Sequence, residues 1–205
     1  KEDDVEQAKR DLEAFGLQSA DVIMAIASSG RTPYCIGALT YAKEIGAGRI
    51  SLSCNKGAKI SPLAQVSIEV DTGAEVISGS TRLRAGTSQK LILNMISTLA
   101  MVKTGRVYGN LMVCMRPTNS KLSKRAIRVF IQATGNPDEE RAQMLLNQAG
   151  GDIRTAIVME KTGLNFSKAK ALLDQNDGFI RKALQSFGVD DSIDYKFIMG
   201  ESESF

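Results

Sequence analysis

The sequence has no histidine and no tryptophan in 205 residues. Without an imidazole, neither a Ser-His or Cys-His triad nor a histidine-ligated metal can be built from this chain. Proton chemistry then falls to carboxylates, lysines or tyrosines. Cysteine is scarce: Cys35, Cys54 and Cys114 are odd in number and scattered, which argues against a disulfide framework or a zinc-ligand set and for reduced thiols in a cytosolic setting. Aromatics make up 5% and the formal net charge is +3, too little and too evenly spread for a nucleic-acid surface. No apolar run approaches the roughly 18 residues that cross a bilayer. Even Leu91 to Val102 is interrupted by Asn94, Ser97 and Thr98. The opening KEDDVEQ lacks a starting methionine and a basic-then-apolar leader, so it shows no targeting peptide and reads as a cut end.

What is present is an apolar fraction of 43%, enough for one main domain with a smaller one appended. Val5, Ala8, Leu12 and Phe15 recur at helical spacing before Gly16. Asp21 to Ala27 is nearly continuous in apolar residues, the mark of a strand buried on both faces of a parallel sheet. Ser28-Ser-Gly-Arg-Thr-Pro33 then opens a helix through Tyr34, Ile36, Leu39 and Ala42, and a second strand spans Arg49 to Cys54. This is a βαβ unit, whose crossover is right-handed in about 98% of cases. A helical turn near Ser61 to Ala64 leads to a further strand at Val66 to Val70, nearer the sheet edge. Leu91, Ile92, Met95, Ile96, Leu99 and Val102 form a broad stripe that suggests a central packing helix.

Beyond Arg116 the pattern changes to helices: one through Leu122, Ala126, Val129, Phe130 and Ala133, then Asp138 to Gln148, Asp152 to Lys161, Ser167 to Gln175, and a last turn from Phe179 to Phe187. The expected division is therefore an α/β domain over 1–116, a helical domain over 117–187 and a poorly ordered tail over 188–205.

Two polar clusters could carry chemistry. Ser28, Ser29, Gly30, Arg31 and Thr32 sit where a buried strand hands over to a helix, so backbone N–H groups and the positive helix end point outward. That arrangement suits an anion, and open α/β sheets hold ligands beyond their strand ends; a tight turn with an N-cap would read the same way. Walker A and GxGxxG spacings are absent, which weakens a nucleotide reading. The second cluster runs from Gly73 to Lys90, with Glu75, Ser80, Thr81, Arg82 and Arg84 ahead of the long helix. It could bond sugar hydroxyls, or be a capping loop with a solvated basic face.

These residues resemble a known family. Ser28 to Tyr34, Ser53-Cys-Asn55, Gly73 to Lys90, Leu93 to Thr98, Gly109 to Val113, Thr118 to Leu122 and Gly178 to Arg181 are similar, in order, to the core motifs of the N-acetylmuramic acid 6-phosphate etherases of the sugar isomerase (SIS) superfamily. Coverage runs from about Glu2 to Leu184. Ser29 and Cys114-Met-Arg116 depart slightly from the family pattern.

The resemblance implies an α/β fold, a parallel-sheet SIS sandwich with helices on both faces followed by a small C-terminal helical module. It implies a cytoplasmic carbon–oxygen lyase of cell-wall recycling that takes a small sugar phosphate, needs no cofactor or metal, and forms a homodimer, with no nucleic-acid or membrane partner. Carried over residue by residue, it makes Glu2 catalytic, as base rather than acid, and Ser28, Ser29, Gly30, Arg31, Thr32, Glu75, Ser80 and Thr81 substrate- or phosphate-binding. A further catalytic glutamate and a second phosphate loop belong, by the same resemblance, to a stretch expected ahead of Lys1. Two rivals stay open: a phosphosugar sensor without catalysis, and an aldose-ketose isomerase in which Glu75 shuttles a proton.

Overall fold

Asp4 sets the start of the first helix. Its carboxylate accepts the Gln7 N–H at 2.9 Å and caps α1 (Val5–Phe15) in the manner that satisfies the orphan donors of a first helical turn. The computed structural model describes residues 1–191, and these separate into two compact units, Lys1–Ile96 and a second from Ser97 onward. The boundary drawn at Arg116 marks a different change, the end of the last strand and the start of a stretch of helices alone. The tail expected over 188–205 lies, from residue 192 on, outside the described residues.

In the first unit β1 (Val22–Ala27), β2 (Gly48–Ser53) and β3 (Val66–Glu69) form a parallel sheet in the order β1-β2-β3. The register aligns Ala25 with Ser51, Ala27 with Ser53 and Ser53 with Glu69, so the chemistry-bearing residues end up along one edge of strand termini. The crossover between β1 and β2 is α2 (Pro33–Glu44), with Pro33 at its start where a missing N–H costs nothing. A single 3-10 turn, Ser61–Leu63, precedes β3. The chain is thus of the expected α/β class, a parallel sheet flanked by helices and followed by a helical set.

Ile23, Ala25 and Ala27 pack with Leu39, Ala58 and Ile60 into the core of one sheet face. The other face of β1 differs from expectation: Val22 is 62% and Ile26 37% exposed, so this strand is covered on one side only. Helix α1 rests on α2 at Gly37, where an added Cβ would stand 2.2 Å from the Val5 carbonyl oxygen. Only hydrogen fits between the two backbones there.

The long helix α3 (Arg84–Lys103) corrects a second expectation. Its apolar stripe predicted a central packing helix, yet Ala85 is its one buried residue, and Leu91, Met95, Leu99 and Val102 are all exposed. Periodicity reports an apolar face but not what covers it. A short antiparallel hairpin, β4 (Val107–Tyr108) and β5 (Leu111–Met112), turns through Gly109 and Asn110 and was not foreseen.

The second unit continues with α4 (Ser120–Thr134), α5 (Glu139–Gln148), α6 (Ile153–Thr162), α7 (Phe166–Gln175) and α8 (Ile180–Phe187). Asn119, Asp138, Asp152 and Asn165 each accept a backbone N–H and start the helix that follows. Phe130, Ile153, Ile157, Leu173 and Leu184 are fully buried at the centre. The buried Asp191 carboxylate lies 3.1 Å from the Lys161 Nζ, pairs with Arg181 and accepts the Tyr108 hydroxyl, tying the end of the described chain to three elements.

Candidate functional site

Ser28 is the junction of the candidate site. Its carbonyl accepts the Cys54 N–H at 3.0 Å and the Asn55 side-chain amide at 2.8 Å, which fastens the end of β1 to the end of β2. Its hydroxyl accepts the Gln89 side-chain amide at 3.0 Å, which brings in the second turn of α3. Residues 61 positions apart in sequence therefore meet at one serine.

The turn that follows is tight. The Gly30 N–H bonds the Ala27 carbonyl at 2.9 Å, the Ser29 hydroxyl accepts the Arg31 N–H at 3.3 Å, and the Ile60 N–H reaches the Gly30 carbonyl at 3.1 Å. Gly30 has φ 64°, and a Cβ built on it would stand 2.3 Å from the Ala58 Cβ and 3.0 Å from the Ser53 Cβ. Glycine is required twice over, by backbone conformation and by space. Ser28, Ser29 and Thr32 are half-buried and Arg31 is exposed, so the turn is reachable from solvent.

Thr32 occupies the N-cap of α2 with φ −55° and ψ 120°, and its side chain makes no capping hydrogen bond. The start of α2 is met instead from α1's side of the chain: the Tyr34 N–H donates to the Glu2 carbonyl at 3.0 Å, and the Tyr34 hydroxyl donates to Asp11 at 2.9 Å. Glu2 itself is exposed. At the first turn of α2 burial pushes the Cys35 thiol above its usual range, the hydrogen bond to the Ile26 carbonyl opposes this, and the Glu2 charge adds a smaller push upward. The structure thus brings Glu2 and the Ser28–Thr32 turn to the same helix start.

Glu75 is fixed by a different set of bonds. Its two carboxylate oxygens accept the Arg84 N–H at 2.9 Å and the Ala85 N–H at 3.0 Å, so it caps α3 across the intervening loop. These bonds, Arg84's first, hold its carboxyl below the ordinary glutamate range. Its charge is felt at Cys54, whose thiol is raised mainly by burial and whose sulfur lies 3.8 Å from the Gln89 amide. Ser80 and Thr81 stand apart: each closes a turn of its own loop, and among the described residues no hydrogen bond joins either to the Ser28–Thr32 turn.

Asn55, Cys54 and Gln89 organise the turn, and sequence reasoning did not single them out as site residues. All three fall inside the quoted motifs, which was the available signal; their partners are set by sheet register and were not readable. An open groove of about 540 Å³ lined by Val70, Asp71, Thr72, Leu83, Arg84, Thr87 and Ser88 adjoins the capped start of α3 through Arg84 and includes no residue of the turn. A groove of about 660 Å³ in the second unit is lined by Ile127, Glu139, Glu140 and Met144 among others, and its two carboxylates repel an anion.

Fold and site together define a class: an α/β chain with a hydroxyl-bearing turn at a parallel strand's C-terminal end, leading directly into a helix. The chain is homologous over nine-tenths of its length to proteins named N-acetylmuramic acid 6-phosphate etherase. It is 54% identical over 184 residues to that of Geobacillus thermodenitrificans, covering 90% of this chain and 62% of the relative. To that of Halalkalibacterium halodurans it is 50% identical over 183 residues, covering 89% and 61%, and to that of Rhizobium rhizogenes 48% over 185, covering 90% and 60%. The chain spans about three-fifths of the length of the curated relatives it matches. No family model matches it.

A pH dependence follows for Glu75. Because its folded-state value lies below the ordinary one, its capping contribution is complete above the ordinary glutamate range and is lost as pH falls through the lowered value. Protection of the Arg84 and Ala85 amides, corrected for intrinsic exchange rates, should hold at neutral pH and fall in acid. Glu75→Gln should show the reduced protection already at neutral pH; unchanged protection there would remove the cap from the account.

Proposed function

We propose that the protein is a carbon–oxygen lyase that cleaves the D-lactyl ether of N-acetylmuramic acid 6-phosphate with water, giving N-acetylglucosamine 6-phosphate and D-lactate in cell-wall recycling. The names of its relatives support this over a sensor without catalysis. The observation that carries it is the Ser28–Thr32 turn itself, open to solvent, glycine-dependent and set where a parallel strand hands over to a helix. Ser28, Ser29, Gly30, Arg31 and Thr32 hold the 6-phosphate, while Glu75, Ser80 and Thr81 complete the sugar-binding edge. Glu75 does so with a carboxylate already engaged by two N–H groups, which leaves it an acceptor for sugar hydroxyls and a poor proton shuttle.

The chemistry suits carboxylates. A base takes the proton at C2 of the sugar, an acid protonates the departing ether oxygen at C3, and water then adds to the unsaturated sugar. Glu2 is the base in this reading, supported by its place at the helix start that receives the phosphate turn. Fixing the phosphate relative to that carboxylate can contribute roughly 7–11 kcal/mol through positioning alone.

The protein works as a homodimer in the cytoplasm in this reading. Leu91, Met95, Leu99 and Val102 recur on one side of α3 and are 43–59% exposed, a self-complementary face of the kind two-fold dimers use. The three unpaired thiols suit a reducing compartment.

Two experiments test this. In the full-length protein, lactate release from N-acetylmuramic acid 6-phosphate should fall by about 10²–10⁴-fold in Glu2→Gln, the range for loss of a general base, with KM little altered; full turnover in that variant would strip Glu2 of its role. In sedimentation velocity the protein should run as a dimer and the double variant Met95→Glu, Leu99→Glu as a monomer, whereas identical sedimentation of both would place the interface elsewhere.

A further inference from the structure

Glu69 ends β3, and nothing in the proposed chemistry uses it. Its carboxylate nevertheless gathers three donors: the Gly57 N–H at 2.9 Å, the Ala58 N–H at 3.0 Å and the Ser61 hydroxyl at 2.6 Å. All three belong to the loop that follows β2. That loop lies against the phosphate turn at successive points, through the Asn55 amide on the Ser28 carbonyl, the Ala58 side chain against Gly30, and the Ile60 N–H on the Gly30 carbonyl.

The alternatives for holding the loop are weaker. Lys56 and Asp71 form an ion pair at 3.4 Å, but their side chains are 76% and 59% exposed, and pairs of that kind contribute little. Hydrogen bonds from backbone N–H and hydroxyl groups to a carboxylate are shorter and stronger than neutral ones. Ser61 first, then Gly57 and Ala58, keep the Glu69 carboxyl below its ordinary range, as expected for acceptance by its charged form.

We propose that Glu69 is a positioning residue for the phosphate turn: by gathering Gly57, Ala58 and Ser61 it presses Ala58 against Gly30 and so fixes the shape of the cradle without touching the ligand. This inference rests on the reading of the Ser28–Thr32 turn as a phosphate cradle. Glu69→Gln is a sharp probe because it keeps size and one acceptor oxygen while turning an amide donor toward the N–H groups that the carboxylate received. The side chain is exposed at the end of an edge strand, so global stability should change little.

The test is calorimetric titration of the intact protein with N-acetylglucosamine 6-phosphate, alongside thermal unfolding and lactate-release kinetics. Glu69→Gln should weaken binding about tenfold, equivalent to about 1.4 kcal/mol, with an unaltered unfolding midpoint and a KM rise that exceeds any loss in kcat. Glu69→Asp, which restores a charged acceptor, should recover part of that affinity. If Glu69→Gln binds as the parent does while Ser28→Ala binds more weakly, the inference falls and the cradle reading stands. If the parent does not bind, or neither variant alters binding, the cradle reading falls and takes the inference with it. Should Glu69→Gln fail to fold, Ser61→Ala decides: it removes one donor and leaves the carboxylate, so a smaller loss of affinity supports the role and parental affinity overturns it.

Discussion

A contact that only glycine permits governs the C-terminal end of the first unit's sheet. Gly30 lies in the left-handed region with Ala58 and Ser53 closed around the place where a Cβ would be. The turn from β1 into α2 can therefore be tight, and the loop after β2 can lie against it. Ser28 adds the second half of the constraint. It is the residue at which β1, β2 and α3 are joined by hydrogen bonds, so displacement of any one element would be felt at the turn.

Charge in this unit is spent largely on order. Glu69 and Glu75 each direct both carboxylate oxygens to main-chain N–H groups, one closing the loop after β2 and the other capping α3. Both therefore stay ionised to lower pH than a free glutamate. A carboxylate committed in this way stiffens a site through its geometry. Glu2 is different: its main-chain carbonyl accepts the Tyr34 N–H and its side chain is exposed beside the start of α2.

Much of this was legible in the residues. The apolar run of β1, the polar turn and Pro33 located the βαβ unit to within a residue or two, because strand period, glycine and proline act locally. Asp138 and Asp152 marked two helix starts of the second unit for the same reason, while the start read at Ser167 lies two residues past the Asn165 cap. What failed were statements about partners across space. The stripe of α3 was read as core although its face is open, and β1 was read as covered on both sides although Val22 and Ile26 are exposed. The two-residue strands around Gly109 are too short to leave an alternation. The cap made by Glu75 spans nine residues and the bond between Gln89 and Ser28 spans 61, distances that no local pattern encodes.

The most direct measurement is an amide chemical-shift map of the protein titrated with N-acetylglucosamine 6-phosphate. The account predicts saturable shifts centred on Ser29, Gly30, Thr32 and the first turn of α2, and far smaller ones with unphosphorylated N-acetylglucosamine. Shifts confined to the groove of Ile127, Glu139, Glu140 and Met144, or equal responses to both sugars, would contradict it.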